Sequence, residues 1–257
     1  MLGSDPMDSV PLDFPIAIVT GSAHRLGREI ALHLARQGYG ILLHYNLSEE
    51  KALKTENEIR ELGVPVFPIQ ADLKDERQIN SLFARLDLIL HQPESRASGL
   101  EVLINSAAIM PFTDARIMSA SEFDEVINLN LRAPFLCAQL AYQKMEQGGV
   151  IVNISDIAAQ KTWTGFPAYS LSKAGLDSLT KILARSFAPK VRVNAIAPGL
   201  ALESENMLPG EWERLVTRVP LKRAAFMNEI SNALEFLLKN EYITGQTITV
   251  DGGYSLL

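Results

Sequence analysis

Tyr169 and Lys173 lie four residues apart within the run Pro167–Gly175, PAYSLSKAG. On a helix this spacing places both side chains on one face, one turn apart. A phenol with its ordinary pKa of about 10 exchanges protons poorly at neutral pH, whereas a nearby ammonium favours the phenolate and lowers that pKa. The pair therefore predicts an acid/base unit, although the same spacing is also common on an ordinary half-exposed helix face.

A glycine-bearing turn near the start of the chain is the second chemical feature. The apolar, β-branched run Ile16–Val19 predicts a buried strand, and an amphipathic helix follows over 28–37. Between them, Gly21 permits a tight turn and Gly27 lets the backbone approach a phosphate or the sheet. The N-terminus of the following helix offers free N–H groups to an anion. The turn is equally compatible with a simple strand-to-helix connection that binds nothing.

Composition limits the classes of protein to which the chain can belong. Its 257 residues suffice for one sizeable α/β domain, and a net charge of -6 disfavours nucleic acid and anionic membranes as partners. No apolar run approaches the length of a membrane span. Cys137 is the only cysteine, which is typical of a reducing, cytoplasmic location. The histidines and this cysteine show no metal-ligand spacing, so we expect no metal.

Apolar runs alternate with helical patterns along the chain. This alternation predicts βαβ units, a mostly parallel doubly wound sheet and one domain over 13–257, preceded by a disordered tail over 1–12. A surface loop is expected over 91–99. The predicted strands are 16–19, 40–44, 64–69, 102–104, 149–153, 191–196 and 247–250, and the predicted helices are 27–37, 49–62, 75–90, 121–147, 167–187 and 228–239.

Polar residues follow several of the predicted strands. In doubly wound sheets, ligands bind outside the carboxyl ends of the strands, so these residues are candidates for a binding site. Each of them could also be an ordinary turn or cap residue. Their concentration at one end of the sheet, beside the Tyr169/Lys173 pair, favours a site. The candidates are Asp72, whose carboxylate could accept from an adenine amine, Asn105, Ser106, Ser155, Asp156, Pro198 and Gly199.

Taken together, these motifs resemble the short-chain dehydrogenase/reductase family over essentially the whole chain. The resemblance rests on Thr20-Gly21 with Arg25 and Gly27, Ala71-Asp72-Leu73, Asn105–Ala108, Asn130, Tyr169 with Lys173, Pro198-Gly199 and Asp251–Gly253. It implies a Rossmann-type fold with a seven-stranded sheet, a homo-tetramer or homo-dimer, and hydride transfer from a nicotinamide cofactor to a small-molecule substrate.

The resemblance also implies roles for individual residues. Tyr169 is the proton donor, Lys173 lowers its pKa and holds the nicotinamide ribose, and Asn130 anchors a proton-relay water. The residues implied to line the cofactor are Gly21, His24, Arg25, Leu26, His44, Asn46, Ser48, Asp72, Leu73, Asn105, Ser106, Ala107, Tyr169, Lys173, Pro198 and Gly199.

A departure from the family pattern at position 25 favours NADP(H) as the cofactor. The usual glycine is replaced by Arg25, whose forked guanidinium can reach the adenosine 2′-phosphate. The acidic residue that would take the ribose 2′-hydroxyl after the second strand is absent. His44, Asn46 and Ser48 stand in that segment, where they can donate to a phosphate. The alternatives are a solvated residue at a helix start for Arg25 and a half-buried strand histidine for His44.

A second departure lies at position 156, where the family's catalytic serine is replaced by Asp156. A carboxylate is a poor oxyanion donor for a ketone but a good partner for a protonated ring nitrogen. This replacement resembles the pteridine reductase branch, in which the matching aspartate and tyrosine reduce C=N bonds of pterins and dihydrofolate-like substrates. That branch stacks an aromatic side chain on the pterin near Met110, and Phe112 follows just beyond.

Three functions remain open at this stage. The first is an NADPH-dependent, pteridine reductase-like enzyme with Asp156, Tyr169, Met110 and Phe112 around the substrate. The second is a reductase of ketones or 3-oxoacyl thioesters, in which Ser155 takes the serine role. The third is a non-catalytic cofactor-binding regulator, disfavoured because a binding module needs no activated phenol. A substrate lid is expected over 200–227.

Overall fold

A computed structural model describes residues 13–92, 94–161, 163–203 and 207–257 of the protein. The tail predicted over 1–12 lies outside them. The strands are β1 (Phe14–Val19), β2 (Gly40–Tyr45), β3 (Val66–Gln70), β4 (Ala97–Asn105), β5 (Gly149–Ile154), β6 (Val191–Pro198) and β7 (Thr247–Val250). The helices are α1 (Arg25–Arg36), α2 (Glu49–Glu61), α3 (Glu76–Leu90), α4 (Ala120–Ile127), α5 (Ala133–Lys144), α6 (Pro167–Phe187), α7 (Glu211–Arg218) and α8 (Met227–Lys239).

The strands form one seven-stranded sheet in the order β3-β2-β1-β4-β5-β6-β7, and every pairing is parallel. Val19 pairs with Leu43 on one side and with Ile104 on the other. The order reverses direction between β1 and β4, and such a reversal opens a crevice at the carboxyl ends of the strands. The predicted Rossmann-type, doubly wound sheet is confirmed.

Two apolar layers hold the helices on the sheet. Ile18 and Leu103 point to the face covered by α3, α5 and α6, whereas Val19 and Ile104 point to the face covered by α1, α2 and α8. Both faces are buried, which is why the strands read as continuous apolar runs instead of alternating ones. Each fully buried aliphatic side chain contributes on the order of 1.5–3 kcal/mol to folding. This packing fixes the strand ends that carry the site.

Three boundaries differ from the predictions. The helix predicted over 121–147 is interrupted by a π-helical turn, Asn128–Arg132, because the Ala133 amide bonds to the Asn128 carbonyl and Pro134 has no amide to continue the ladder. The predicted loop over 91–99 overlaps β4, which begins at Ala97 opposite Phe14. The predicted lid contains α7, a short helix that we did not predict. No helix in the described ranges is long and apolar enough to cross a membrane.

Candidate active site

The turn between β1 and α1 has no space for larger side chains at its two glycines. A Cβ on Gly21, whose φ is +67°, would lie 2.9 Å from the Ala107 Cα, and a Cβ on Gly27 would lie 2.2 Å from the Gly21 carbonyl oxygen. Thr20 Oγ1 accepts from the amides of Ser106 at 2.9 Å and Ala107 at 3.1 Å. The ends of β1 and β4 are thereby joined on either side of the crevice.

The N-terminus of α1 is suited to an anion. Its first turn contains no acidic residue, and no side chain caps it. Leu26 and Gly27 therefore present backbone N–H groups at the positive end of the helix dipole. The close approach at Gly27 and this uncapped turn fit the pyrophosphate of a dinucleotide.

The His44 side chain stabilises this turn through a hydrogen bond with Gly21. Its Nδ1 accepts from the Gly21 amide at 2.9 Å, and its Nε2 lies 2.9 Å from the Ala71 carbonyl, to which it donates. Burial lowers the His44 pKa to about 4, so the ring is neutral at pH 7. The prediction that His44 donates to a 2′-phosphate is wrong, because both ring nitrogens bond within the protein.

The segment after β2 lies at the edge of the same crevice. The Asn46 carbonyl accepts from Gln70 Nε2 at 2.8 Å, while Ser48 precedes α2 without capping it through its side chain. Asp72 follows β3, and one of its carboxylate oxygens accepts from the Lys74 amide at 3.0 Å. Leu73 is buried in the core beneath. The Ser48 side chain is thus the best placed of this group to meet a ligand.

The Asn105 side chain forms a hydrogen bond to Asn153 within the sheet. Its Nδ2 donates to Asn153 Oδ1 at 2.9 Å, and Asn153 Nδ2 donates to Thr180 Oγ1 at 2.9 Å. All three residues are buried, so this chain of hydrogen bonds ties β4 to β5 and α6 beneath the site. The prediction that Asn105 lines the cofactor does not hold for its side chain. Asn153 and Thr180 escaped prediction because they read as ordinary strand and helix residues.

Tyr169, Asp156 and Lys173 meet at the carboxyl end of β5. The Tyr169 hydroxyl donates to Asp156 Oδ2 at 2.9 Å. Lys173 Nζ donates to the Ile154 carbonyl at 2.7 Å and lies 5.6 Å from the centroid of the Tyr169 ring. Asp156 also accepts from the Ala158 amide at 2.8 Å, which caps a short 3-10 turn and fixes the carboxylate. The predicted acid/base pair is therefore a triad of side chains.

Burial acts against the charged form of all three groups. It raises the pKa of Asp156, and together with the Asp156 charge it raises the pKa of Tyr169 well above its usual value. Burial lowers the pKa of Lys173 to about 8, although Asp156 and Asp177 oppose this shift. Burial and Asp156 therefore outweigh the lowering of the phenol pKa that is expected from Lys173. Tyr169 instead remains a protonated donor, and Asp156 holds a proton more readily than an exposed carboxylate.

Ser155 does not share this arrangement. Its hydroxyl is buried without a hydrogen-bond partner, and its amide donates to the Ile196 carbonyl at 2.7 Å. Tyr169 bonds to Asp156 instead.

Asn130 lies in the π-helical turn and anchors the loop that follows β4. Its Oδ1 accepts from the Ile109 amide at 3.0 Å, and its Nδ2 donates to the Ile109 carbonyl at 2.9 Å and to Ser172 Oγ at 3.2 Å. The wider π turn shifts the helix register at this residue. Asn130 therefore positions the Met110 region relative to α6.

Aromatic side chains line the entrance beside Tyr169. The Phe112 ring packs edge-on against Phe166 with centroids 5.5 Å apart, and Trp163 lies 6.4 Å from Phe166. Met110 and Phe112 are exposed, and their predicted contact with a substrate stays a prediction. Trp163 and Phe166 were not predicted, although two aromatic residues between Asp156 and Tyr169 were a usable signal.

The segment after β6 forms the opposite border. Gly199 donates to the Val250 carbonyl at 3.0 Å, and a Cβ there would lie 2.7 Å from the Asp251 Cβ. Pro198 and Gly199 thus join the ends of β6 and β7. Arg25 donates to the carbonyls of Leu202 and Glu203. The guanidinium therefore bonds to the predicted lid, which differs from the predicted 2′-phosphate contact.

Comparison with known proteins places the chain in a family. The family model described as enoyl-(acyl carrier protein) reductase matches residues 21–255. The 3-oxoacyl-[acyl-carrier-protein] reductase FabG of Staphylococcus aureus is 36% identical over 244 residues, which cover 92% of this chain and 96% of the relative.

Solved structures agree with this assignment. FolM alternative dihydrofolate reductase 1 of Brucella canis, complexed with NADP, has a TM-score of 0.87 at 30% identity and covers 99% of this chain and 97% of its own. The FolM protein of Brucella suis, also with NADP, has a TM-score of 0.86 at 31% identity, covering 96% of each chain. The chain belongs to the short-chain dehydrogenase/reductase family of NAD(P)-dependent oxidoreductases.

Proposed function

We propose that this protein is an NADPH-dependent reductase of C=N bonds in pterin- or dihydrofolate-type substrates. The observation that carries the proposal is the hydrogen bond of 2.9 Å between the Tyr169 hydroxyl and the Asp156 carboxylate. The nicotinamide, when bound, supplies the hydride that adds to the carbon of the C=N bond. The substrate nitrogen must then gain a proton from the protein.

Tyr169 and Asp156 are suited to supply that proton. The raised pKa of Tyr169 keeps its hydroxyl protonated until a nitrogen with a growing negative charge accepts from it. The raised pKa of Asp156 lets the carboxyl hold the proton that replaces the one given away. Lys173, fixed on the Ile154 carbonyl, keeps a positive charge beneath the phenol. A ketone oxyanion is best stabilised by a neutral donor such as a serine hydroxyl, and Asp156 stands beside Tyr169 instead.

The border of the site also favours a flat heteroaromatic substrate. Phe112 and Trp163 each pack edge-on against Phe166, and Trp163 and Phe166 pack against the cluster that contains Tyr169. Met110, two residues before Phe112, is half exposed. Aromatic and thioether groups contact a planar ring well through its faces and edges. We assign Met110 and Phe112 to the substrate, with Asn130 holding the loop that carries Met110 and anchoring a proton-relay water.

Preference for NADPH is the second part of the proposal. No acidic side chain in the segment Asn46–Ser48 repels a 2′-phosphate, and the Ser48 hydroxyl is not used as a helix cap. The FolM proteins that this chain resembles were solved with NADP. His24, Leu26, Asp72, Ser106, Ala107 and Gly199 complete the proposed cofactor site.

A second candidate function is the reduction of 3-oxoacyl thioesters or ordinary ketones. It is favoured by one observation, the 36% identity with the Staphylococcus aureus FabG reductase. In that reaction a serine hydroxyl would be expected beside the tyrosine. The geometry gives this candidate less support, because the buried Ser155 hydroxyl has no hydrogen-bond partner and the Tyr169 hydroxyl donates to Asp156.

Substitution of Asp156 tests the proposal. Asp156→Asn preserves shape and removes the titratable group, so the NADPH-dependent rate with dihydrobiopterin should fall about 100-fold or more, the usual contribution of a positioned acid. Asp156→Ser should be as harmful to the pterin and gain weak ketone reduction. Ser155→Ala is the matched control and should leave pterin reduction unchanged. The second candidate would be supported if Ser155→Ala lost NADPH-dependent reductase activity while Asp156→Asn retained it.

A further inference from the structure

The backbone at Arg25 has a conformation that an arginine rarely adopts. Its φ is +55°, and within the described ranges Lys222 is the one other non-glycine residue with a positive φ. Left-handed backbone is unfavourable for residues with a side chain, and such strain persists where the surrounding structure or a function requires it. A glycine would adopt this turn without cost, so the side chain of Arg25 must contribute something.

The guanidinium of Arg25 forms a bridge across the sheet. Its Nη1 donates to the Glu203 carbonyl at 2.9 Å and its Nη2 to the Leu202 carbonyl at 3.2 Å, while the side chain is otherwise exposed. Arg25 follows β1 and the two carbonyls follow β6, three positions away in the strand order. Three strand spacings correspond to about 14 Å.

This bridge connects segments on the two sides of the strand ends at which the proposed cofactor crevice opens. Between β1 and β6 lie the ends of β4 and β5, which carry Ser106 and Asp156. The uncapped N-terminus of α1, at Arg25 itself, is the anion site of this crevice. A cofactor seated there would lie beneath the segment that Arg25 holds.

We propose that Arg25 is a positioning residue that latches the segment after β6 over the cofactor crevice and thereby sets the rate at which the cofactor leaves. The latch binds backbone carbonyls, so it does not depend on the side chains of the segment. It also does not depend on the 2′-phosphate, so NADPH and NADH are retained alike. The inference needs a dinucleotide cofactor and no particular substrate, and failure of the pterin proposal would leave it intact.

Three variants test the latch. Arg25→Ala removes the guanidinium, and Arg25→Gly removes it together with the backbone strain. We expect Arg25→Gly to gain thermal stability, and this gain would show that faster cofactor release does not come from a folding defect. Arg28→Ala is the matched control, because Arg28 lies on the same helix but pairs with Glu29 and Glu58. Dissociation rates of NADPH and NADH are measured by stopped-flow fluorescence. Hydrogen exchange over 199–203 and 207–219 is measured in the cofactor-free protein.

We expect both Arg25 variants to release NADPH and NADH faster by the same factor, about ten- to a hundredfold, as loss of hydrogen bonds from a charged group implies. In the cofactor-free Arg25 variants, hydrogen exchange over 199–203 and 207–219 should accelerate. Arg28→Ala should change neither the cofactor dissociation rates nor the hydrogen exchange. Faster release of NADPH alone, with unchanged exchange, would overturn the latch and assign Arg25 to the 2′-phosphate. Faster release of both cofactors with unchanged exchange would overturn it in favour of a pyrophosphate contact. No change in either measurement would also overturn it.

Discussion

At the residue scale, the proposed chemistry depends on the Tyr169 hydroxyl. It is buried, donates to Asp156 at 2.9 Å and has a pKa raised by burial and by the neighbouring carboxylate. A group in this state gives a proton only to an atom that becomes strongly basic during the reaction. The nitrogen of a C=N bond that receives a hydride is such an atom.

Tyr169→Phe removes the donor and keeps the ring. We expect kcat to fall by about 100-fold or more, the range of general acid catalysis, while the Kd for NADPH changes by less than about threefold because the ring still packs. Single-turnover absorbance at the nicotinamide band and fluorescence titration measure the two quantities. A variant that retains near-normal kcat would reject Tyr169 as the acid.

The charge on Lys173 should determine the alkaline limit of activity. Its pKa of about 8 is held up by Asp156 and by Asp177, one helical turn further along α6. The ammonium is lost as pH rises through this value, so kcat/KM should decline above about pH 8. Asp177→Asn removes one supporting charge and should move the decline to lower pH. Thr247→Val, which removes a 3.3 Å hydrogen bond to Asp177 but no charge, is the control. An unshifted profile in Asp177→Asn would reject this account.

Residue spacing predicted the Tyr169/Lys173 pair, since four residues on a helix fix the separation of two side chains. It did not predict which partners Arg25 and His44 would take. A position in a turn fixes the Cα atom, whereas the direction of a long or planar side chain depends on groups distant in sequence, such as the Glu203 carbonyl and the Ala71 carbonyl.

At the scale of elements, the glycine turn depends on the strand beside it. His44 in β2 accepts from the Gly21 amide and donates to the Ala71 carbonyl that follows β3. The imidazole thereby links three strand ends with two hydrogen bonds. Protonation of Nδ1 would break the bond to Gly21, because a protonated nitrogen cannot accept.

His44 should therefore make the fold sensitive to acid. Its pKa falls from 6.5 in the unfolded chain to about 4 in the fold, so its stabilising contribution is complete above pH 6.5 and is lost as pH falls toward 4. The expected loss is about 2 kcal/mol between pH 7.5 and pH 5. Urea unfolding at the two pH values measures it.

His44→Gln, which can accept and donate in a similar way without titrating, should abolish most of this pH dependence. His91→Gln, at an exposed site beyond α3, is the control. An equal acid loss in the protein and in His44→Gln would show that another group is responsible.

Most element types and their order followed from hydrophobic patterning, while the π-helical turn, the start of β4 and the helix α7 did not. The π-helical turn at Asn130 changes the register of a helical pattern without changing its composition, so the run over 121–147 appeared continuous. β4 begins in the polar stretch at Ala97 because its partner Phe14 supplies the hydrogen bonds. Both effects arise from contacts outside the local sequence.

At the scale of the whole molecule, an apolar groove remains on the outer face of α5 and α6. Phe135 and Ile182 are 37% and 61% exposed there. Exposed contiguous apolar surface is costly in a monomer and is typical of subunit interfaces. We expect a second copy of the chain to cover it. The residues that line the groove are Ile127, Leu131, Arg132, Phe135, Gly175, Ser178, Leu179 and Ile182.

Ile182→Glu should disrupt this association, because a buried unpaired carboxylate is strongly unfavourable at an interface. Sedimentation velocity should show a dimer or tetramer for the protein and a shift toward monomer for the variant. Leu53→Glu, on the distant helix α2 and 52% exposed, is the control and should not change the mass. A monomer at every concentration tested would contradict the assignment of this face.

The fold of the whole molecule was predictable because seven apolar runs alternating with helices permit few arrangements. The candidate site was predicted from the rule that ligands bind at the carboxyl ends of strands. The proposed substrate wall of Phe112, Trp163 and Phe166 was less accessible, since these three residues are brought together only by folding.

The most direct test of the proposed function is a comparison of NADPH-dependent steady-state rates on three substrates: dihydrobiopterin, dihydrofolate and an acetoacetyl thioester. We predict that kcat/KM with at least one of the two C=N substrates exceeds that with the thioester by about 100-fold or more, the contribution of an acid matched to nitrogen. An enzyme that ignores both C=N substrates and reduces the thioester efficiently would contradict the proposal.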